Sequence, residues 1–529
     1  MKWTARLSKT TEWVYRLGFP KGDVPYPHSG FIPLRQTRIG AQVAPRRCPI
    51  LRYGKSNSTV SQFVFFMKGF CVIDSLAGGF NYIRNIMMRV ALIGENSIEY
   101  VNMLLDIWNN GDCAVLLDWR IPFETAYQMM LEAGVTRCFM EARLLNKVSI
   151  PDNSKVSFSC FDIADRIPYF LTQNVRRKYR ENKSKDEAVI LYSSGTTGKS
   201  RGIILSHYAI TTNADAILDY MKLTSNDCLY IVKSLSHSST LTGELLAALR
   251  SGAKLVLAPT VVPPRYVLSR INDFSVTTIC LNPTLLHMFI EECTKKEYDL
   301  SSLKTIYCSG SVLNDKVYAK AHDVFGGIDI FNVYGLSEAG PRVAAQTKDC
   351  CKSNSVGKSI KDVEITIVDD AGTIAKQGER GIVHVNTPSR YNGYAAGTKK
   401  HKSLYKGWLN TGDIGFIDDN GELHILDRVD DIMIIGAHKV YPGDVERLVL
   451  EDDEISGCAI SKCTYNDAEI IGCLYVSNVD RTIDIIRRLK KSLMPYEIPK
   501  KFVRVGNLPL NHRGKVDKSV VSKKIESIL

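Results

Sequence analysis

The sequence predicts an α/β protein: a large N-terminal domain of helix-covered, mostly parallel sheets with a small β subdomain, hinged to a smaller α+β C-terminal domain. Three observations carry this expectation. From Val90 onward, short apolar strands alternate with amphipathic stretches, the pattern of parallel sheets covered by helices. Between about 356 and 426 the texture changes to short alternating strands with Gly- and Asp-rich turns. Past a charged joint, Asp427 to Asp431, lie about 100 residues of mixed pattern.

Taken in order, Val90–Ile93 reads as a strand, and residues 96–109 as a helix with Ile98, Val101, Leu104, Leu105 and Trp108 on one face. Strand 113–118, helix 123–133 and strand 136–140 continue the alternation. Ile210, Ala214, Ile217, Leu218 and Met221 mark a further amphipathic helix. Strands follow at 228–233, 253–258, 276–281, 305–309 and 328–333, then at Val363–Val368, Gly381–Val385 and Leu423–Leu426 in the β subdomain. The expected domains are an atypical, partly irregular basic segment over 1–88, a large domain over 89–427 and a small domain over 428–529, which the family resemblance given below makes mobile.

Length and composition exclude several classes. A chain of 529 residues can bury large cores in two or more domains. Its net charge of +12 is concentrated at one end, because residues 1–88 hold 13 Lys/Arg against 3 Asp/Glu and the remainder 55 against 53. The nearly neutral body gives no footprint for nucleic acid. Fourteen cysteines without paired or metal-like spacing fit a reduced, cytoplasmic protein. No apolar run approaches the length of a membrane span, so integral membrane association is not expected. Asp74-Ser75-Leu76 matches a carrier-protein attachment triplet, but Ala77-Gly78-Gly79 would spoil the helix a carrier needs there.

The stretch from Val189 to Gly202 carries the chemistry. Apolar Val189-Ile190-Leu191-Tyr192 runs into Ser193-Ser194-Gly195-Thr196-Thr197-Gly198, then exits through Lys199, Ser200 and Arg201. Such a loop turns backbone N–H groups inward as an anion nest, and its hydroxyls add donors for phosphate oxygens. A Walker A loop would need glycine at position 193, which is serine, so this is not a P-loop NTPase.

The stretch resembles the phosphate loop of the adenylate-forming enzymes: acyl- and aryl-CoA synthetases, peptide-synthetase adenylation domains and luciferases. Four further motifs extend the resemblance over roughly residues 89–520. It implies that Ser193, Ser194, Gly195, Thr196, Thr197, Gly198 and Lys199 hold the phosphates of ATP. Arg201 stands where the family usually has lysine, and Ser200 replaces its proline. In Asn332-Val333-Tyr334-Gly335-Leu336-Ser337-Glu338, the resemblance makes Tyr334 the adenine-stacking residue, with Asn332, Gly335 and Ser337 beside the nucleotide. It assigns Glu338, with Thr197, to Mg²⁺, a role that suits a hard carboxylate oxygen. Thr411-Gly412-Asp413 matches the family's ribose motif; a carboxylate suits a vicinal diol because it has two acceptor oxygens. Arg428 occupies the second ribose position, and Asp430 falls on the hinge. Gly436-Ala437-His438-Lys439-Val440 resembles the segment lining the pantetheine tunnel, with Ala437 in place of glycine. Lys515, in Gly514-Lys515, matches the catalytic lysine that reaches the α-phosphate.

The acyl side is expected near His237, Asn282-Pro283-Thr284 and Ser309-Gly310-Ser311. Residues 234–243 contain no aspartate to hold a substrate amine, which favours a carboxylic acid without an α-amino group. The expected function is therefore an ATP-dependent carboxylate ligase, with an acyl-AMP intermediate and a thiol acceptor: CoA, or the phosphopantetheine of a separate acyl or peptidyl carrier protein. Lys515, Arg201 and His237 are the candidate catalytic side chains. A luciferase-like adenylating oxygenase and a non-catalytic nucleotide-binding homologue are the alternatives.

Overall fold

The computed structural model describes residues 62–67, 70–75 and 87–528, except 164–168, 172, 194–199, 260–262, 311–312, 314, 352–353, 396–403, 406, 436–437, 466–467 and 512–514. Most of the basic segment expected over 1–88 lies outside the described residues. The chain falls into two compact units, residues 1–65 with 73–80 and residues 66–72 with 81–529. The strands Gln62–Met67 and Phe70–Ser75 form a two-stranded sheet, so Asp74 and Ser75 are extended rather than helical. Every motif of the candidate site belongs to the second unit.

Two large sheets dominate that unit. In the first, Glu187–Ser193, Cys113–Leu117, Arg89–Ile93, Arg137–Glu141 and Ser157–Phe161 run parallel, with Arg201–Ser206 antiparallel at one side. In the second, Asp329–Gly335, Thr305–Ser309, Thr278–Leu281, Cys228–Ile231 and Lys254–Leu257 run parallel, flanked by antiparallel edge strands. Strands buried on both faces are continuous apolar runs, as Cys113–Leu117 and Cys228–Ile231 show.

The largest core lies between these sheets. Leu92 and Leu191 of the first sheet and Ile231 and Leu257 of the second share it with Leu104, Ala214 and Leu245 of the intervening helices. Each fully buried aliphatic side chain contributes roughly 1.5–3 kcal/mol. The helix expected over 96–109 begins at Ile98, because the Ser97 hydroxyl caps it by accepting from Tyr100 N–H at 2.9 Å. Asn96 joins the sheets instead: its amide donates to the carbonyls of Lys233 (2.8 Å) and Ala258 (3.2 Å) and accepts from Leu235 N–H at 3.0 Å.

The β subdomain is an antiparallel sheet in which Glu364–Val368, Gly381–Asn386, Trp408–Ile417 and Leu423–Arg428 are successive neighbours. Beyond it, Gly457–Tyr465, Ala468–Val476 and Lys501–Val505 form a three-stranded sheet packed by the helices Pro442–Leu450, Thr482–Ser492 and Lys518–Glu526. Among the described residues no helix is long and apolar enough to cross a membrane.

Candidate active site

The loop from Ser194 to Lys199 lies outside the described residues, but its two ends are fixed. Ser193 and Arg201 are register partners in an antiparallel pair, so the loop closes a β-hairpin. A P-loop instead passes from strand to helix. The strand topology thus supports the exclusion made from Ser193.

Arg201 stacks its guanidinium 5.6 Å from the centre of the Tyr394 ring. The Tyr394 hydroxyl donates to Glu338 Oε1 at 3.1 Å. Tyr394 reaches this position because Gly393–Tyr394 pairs antiparallel with Ile203 and Ile204, extending the hairpin by one strand. Burial, aided by Glu338, pushes the tyrosine well above its ordinary range, so it stays a neutral donor.

The strand Asp329–Gly335 delivers the next group. Asn332 is buried, and its amide donates to the Ser355 carbonyl at 3.1 Å. Gly335 has no room for a side chain, since a Cβ would lie 2.0 Å from the carbonyl oxygen of Pro341. A short 3₁₀ turn, Ser337–Ala339, then presents Glu338. Tyr334 donates its hydroxyl to Asp413 Oδ2 at 2.5 Å.

Asp413 sits where several groups converge. Arg428 is its cross-strand partner, and the guanidinium Nε stands 3.3 Å from Oδ1. Burial raises the Asp413 carboxyl from its ordinary value. Arg428, the Tyr334 hydroxyl and Lys515 oppose the rise, while Glu338 adds to it. Tyr334 and Arg428, 94 positions apart in the sequence, thus meet on one carboxylate.

The expected acyl side is also contiguous with this locus. Ser238 and Ser337 hydroxyls lie 2.8 Å apart, tying the His237 segment to the Glu338 motif. His237 Nε2 stands 3.9 Å from Asp118 Oδ2. Asp118 is nearly buried; desolvation alone would raise its carboxyl, but the paired guanidinium of Arg120 and the imidazole bring it down to about 2. Ser309 ends its strand buried, and Gly310 follows with φ +110°, a conformation that favours glycine, beside Asn282. Asn282 caps the helix Pro283–Lys295 by accepting from Leu285 N–H at 2.8 Å. Ser311 lies outside the described residues.

The C-terminal elements approach through the joint at 427–431. Asp427 accepts from Arg428 N–H at 3.0 Å and Gly443 N–H at 2.8 Å. Gly443 is required there, because a Cβ would come within 2.5 Å of the Leu426 carbonyl oxygen. Lys518 is held by Glu446 and by the carbonyl of Ile460. Ion pairs bridge to the larger part of the unit, among them Lys316–Asp453 at 2.8 Å, Arg380–Asp444 at 2.9 Å and Lys439–Asp370 at 2.7 Å. Lys515 N–H donates to Asn511 Oδ1 at 3.1 Å, and its carbonyl accepts from Asn511 N–H at 2.8 Å. Asp430 lies in the 3₁₀ turn Val429–Asp431. Gly436 and Ala437 lie outside the described residues.

Tyr394, Asp118 and Ser238 were not assigned roles from sequence. Tyr394 sits in a short strand among Gly and Asn, with no charge to mark it, and only the sheet pairing brings it to Glu338.

Among the described residues no cluster of three or more His, Cys, Asp or Glu could hold a metal by itself. A lone carboxylate beside a phosphate loop is the pattern that suits Mg²⁺, which keeps water and takes substrate phosphates as ligands.

Indoleacetate–CoA ligase of Aromatoleum aromaticum is 27% identical over 449 residues, covering 82% of this chain and 87% of that protein. The 2-succinylbenzoate–CoA ligase of Bacillus mycoides is 26% identical, covering 83% and 89%. The fold is shared with ATP-bound MatB from Rhodopseudomonas palustris (TM-score 0.73, 21% identity, 84% of this chain and 90% of that one). It is shared equally with an anthranilate CoA ligase in complex with anthranoyl-AMP (TM-score 0.73, 21% identity, 84% and 89%). The family described as AMP-binding enzyme matches residues 75–395, more than half of the chain. This protein belongs to that family, within the adenylate-forming superfamily of acid–thiol ligases.

Proposed function

We propose that the chain joins a carboxylic acid to CoA through an acyl-AMP intermediate, with ATP cleaved to AMP and pyrophosphate. The observation that supports it is Asp413, which accepts from the Tyr334 hydroxyl at 2.5 Å and faces the Arg428 guanidinium at 3.3 Å. In this reading Asp413 and Arg428 hold the ribose, Tyr334 packs on adenine, and Ser193, Ser194, Gly195, Thr196, Thr197, Gly198 and Lys199 cradle the β- and γ-phosphates. Asn332, Gly335, Ser337, Ser309 and Gly310 shape the floor beneath the adenylate.

A substrate carboxylate oxygen attacks the α-phosphorus, and the bond to pyrophosphate breaks. The barrier is chiefly repulsion between anions, so fixed cations aimed at the α-phosphate lower it. Lys515 has that role, as a mobile point charge on a flexible stem, while Arg201 neutralises the departing phosphates. Glu338 and Thr197 would hold Mg²⁺, which supplies charge neutralisation at the phosphates. His237 orients the acyl carboxylate, with Asp118 behind it. The small domain over 428–529 then turns about Asp430, and a thiol attacks the acyl carbon as AMP leaves. Free CoA is the acceptor favoured by the relatives' names; a carrier phosphopantetheine offers the same thiol.

Acid-dependent exchange of pyrophosphate into ATP, run over aryl, short-chain, fatty and amino acids, tests the reading. Exchange that requires a carboxylic acid, followed by thioester formation with CoA, is expected. ATP binding without exchange for any acid would mean a nucleotide-binding protein instead.

A further inference from the structure

Below the His237 segment lies a buried polar cluster that the adenylation chemistry does not use. The backbone from Leu241 to Leu246 winds as a π-helix, a form concentrated at functional sites. It carries Glu244, 1% exposed, whose carboxylate faces Lys233, Arg342 and Thr240. Lys233 Nζ stands 3.1 Å from Glu244 Oε1 as its ion-pair partner. From the neighbouring strand comes Arg342, 4% exposed, with its Nε unpartnered. The buried hydroxyls of Thr240 and Tyr220 face Glu244 and Arg342, so the polar groups of the cluster turn towards one another. Buried charges in native proteins are paired, and here two buried cations share one carboxylate, so the cluster marks a place where an anion belongs.

Charge decides which ligand. Glu244 forms its ion pair with Lys233 and also feels Arg342, and among the described residues no carboxylate forms an ion pair with Arg342. A substrate amine would add a third cation to two; an anion would complete the set. Gly243 lets the guanidinium lie close against the π-helix, since a Cβ there would come 3.4 Å from Arg342 Nη2. The cluster is continuous with the nucleotide motif. Arg342 is the register partner of Gly335, and the Ser238–Ser337 contact links the π-helical segment to Glu338.

We infer that the acid activated by this enzyme carries a second carboxylate, which the Arg342 guanidinium receives at the inner end of the acyl site beside the Lys233–Glu244 pair. This rests on the ligase reading above and adds the substrate class, a dicarboxylic acid. Arg342 is then a specificity-determining residue, suited by its planar fork to bidentate pairing with a carboxylate.

The test is pyrophosphate exchange by the full chain with malonate through adipate and phthalate, each against its monoamide, which is isosteric but lacks the second charge. The wild type is expected to favour at least one diacid over its monoamide by about tenfold or more in kcat/KM, as loss of a buried charge pair implies. Arg342→Gln should erase that preference, shifting the ratio by a similar factor. A merely structural arginine would lower both rates together and leave the ratio unchanged, which would overturn the assignment. Where Arg342→Gln loses cooperative unfolding, Arg342→Lys replaces it, and a weakened but retained diacid preference is expected. Wild-type exchange that is equal for diacid and monoamide, or that prefers simple monoacids, overturns the inference while leaving the ligase intact. Exchange with no acid at all overturns the ligase reading and this inference with it.

Discussion

Asp413 and Arg428 face one another across a single antiparallel strand pair, with the guanidinium 3.3 Å from the carboxylate. The β subdomain thereby brings the candidate ribose acceptor to the joint that leads into the C-terminal elements. The same carboxylate takes the Tyr334 hydroxyl, so one side chain ties the second parallel sheet to the β subdomain.

Asp413→Asn keeps the shape and removes the charge. Hydrogen bonds to an ionised partner contribute about 1.5–3 kcal/mol, so kcat/KM for ATP should fall roughly ten- to hundredfold. ATP titration of the exchange reaction measures this, and an unchanged KM would remove Asp413 from the nucleotide site.

Lys515→Ala should block adenylation and spare thioester formation from supplied acyl-AMP. Loss of one aimed electrostatic donor costs about 10²–10³ in rate. The two half-reactions assayed separately distinguish this from a structural lysine, which would damage both alike.

Tyr394→Phe removes the hydroxyl that holds Glu338 at 3.1 Å. A single hydrogen bond contributes about 1 kcal/mol net, so the Mg²⁺ concentration for half-maximal exchange should rise about fivefold. An unchanged Mg²⁺ titration would show that Glu338 is oriented by other contacts.

Most of the fold was legible because periodicity reports burial. The runs Val90–Ile93 and Cys113–Leu117 are apolar on both faces and became central parallel strands. Element ends were less legible: Asn96 resembles the start of a helix, yet its amide joins the two sheets. Within the site, motifs with several polar residues close in sequence marked Glu338, Asp413 and Lys515. Contacts made across sheets leave no local trace. Tyr394 meets Glu338 only through strand pairing, and Arg342 stands opposite Gly335 by register. The π-helical winding at Leu241–Leu246 has no period that distinguishes it from an ordinary helix.

Asp430→Pro tests the hinge. Asp430 occupies the middle of the turn Val429–Asp431, and proline would fix its φ and restrict Val429 before it. Adenylate should still form, while its transfer to CoA slows. Rapid-quench measurement of both steps checks this; transfer at the wild-type rate would place the rotation elsewhere.

The joint also predicts a pH dependence with a definite sign. Burial pushes the Asp427 carboxyl up to about 6, against its hydrogen bonds from Gly443 and Arg428 N–H; Glu446 adds to the rise and Lys518 opposes it. Asp431 is raised as well, mainly by burial, with Lys518 and Arg428 opposing. A carboxyl whose folded value exceeds its unfolded one binds its proton more tightly when folded. Its contribution therefore favours the folded arrangement at low pH and is lost as pH rises from about 4 through 6. A shift of this size corresponds to at most about 3 kcal/mol, less after allowance for partial exposure. Asp118, held down to about 2, pulls the opposite way at lower pH, so the total curve mixes both signs. The comparison of wild type with Asp427→Asn isolates the joint. Between pH 4.5 and 7 the stability difference between the two should move in the variant's favour as pH rises. Thermal midpoints measured in parallel across that range check it, and a constant difference would mean that Asp427 is ionised throughout.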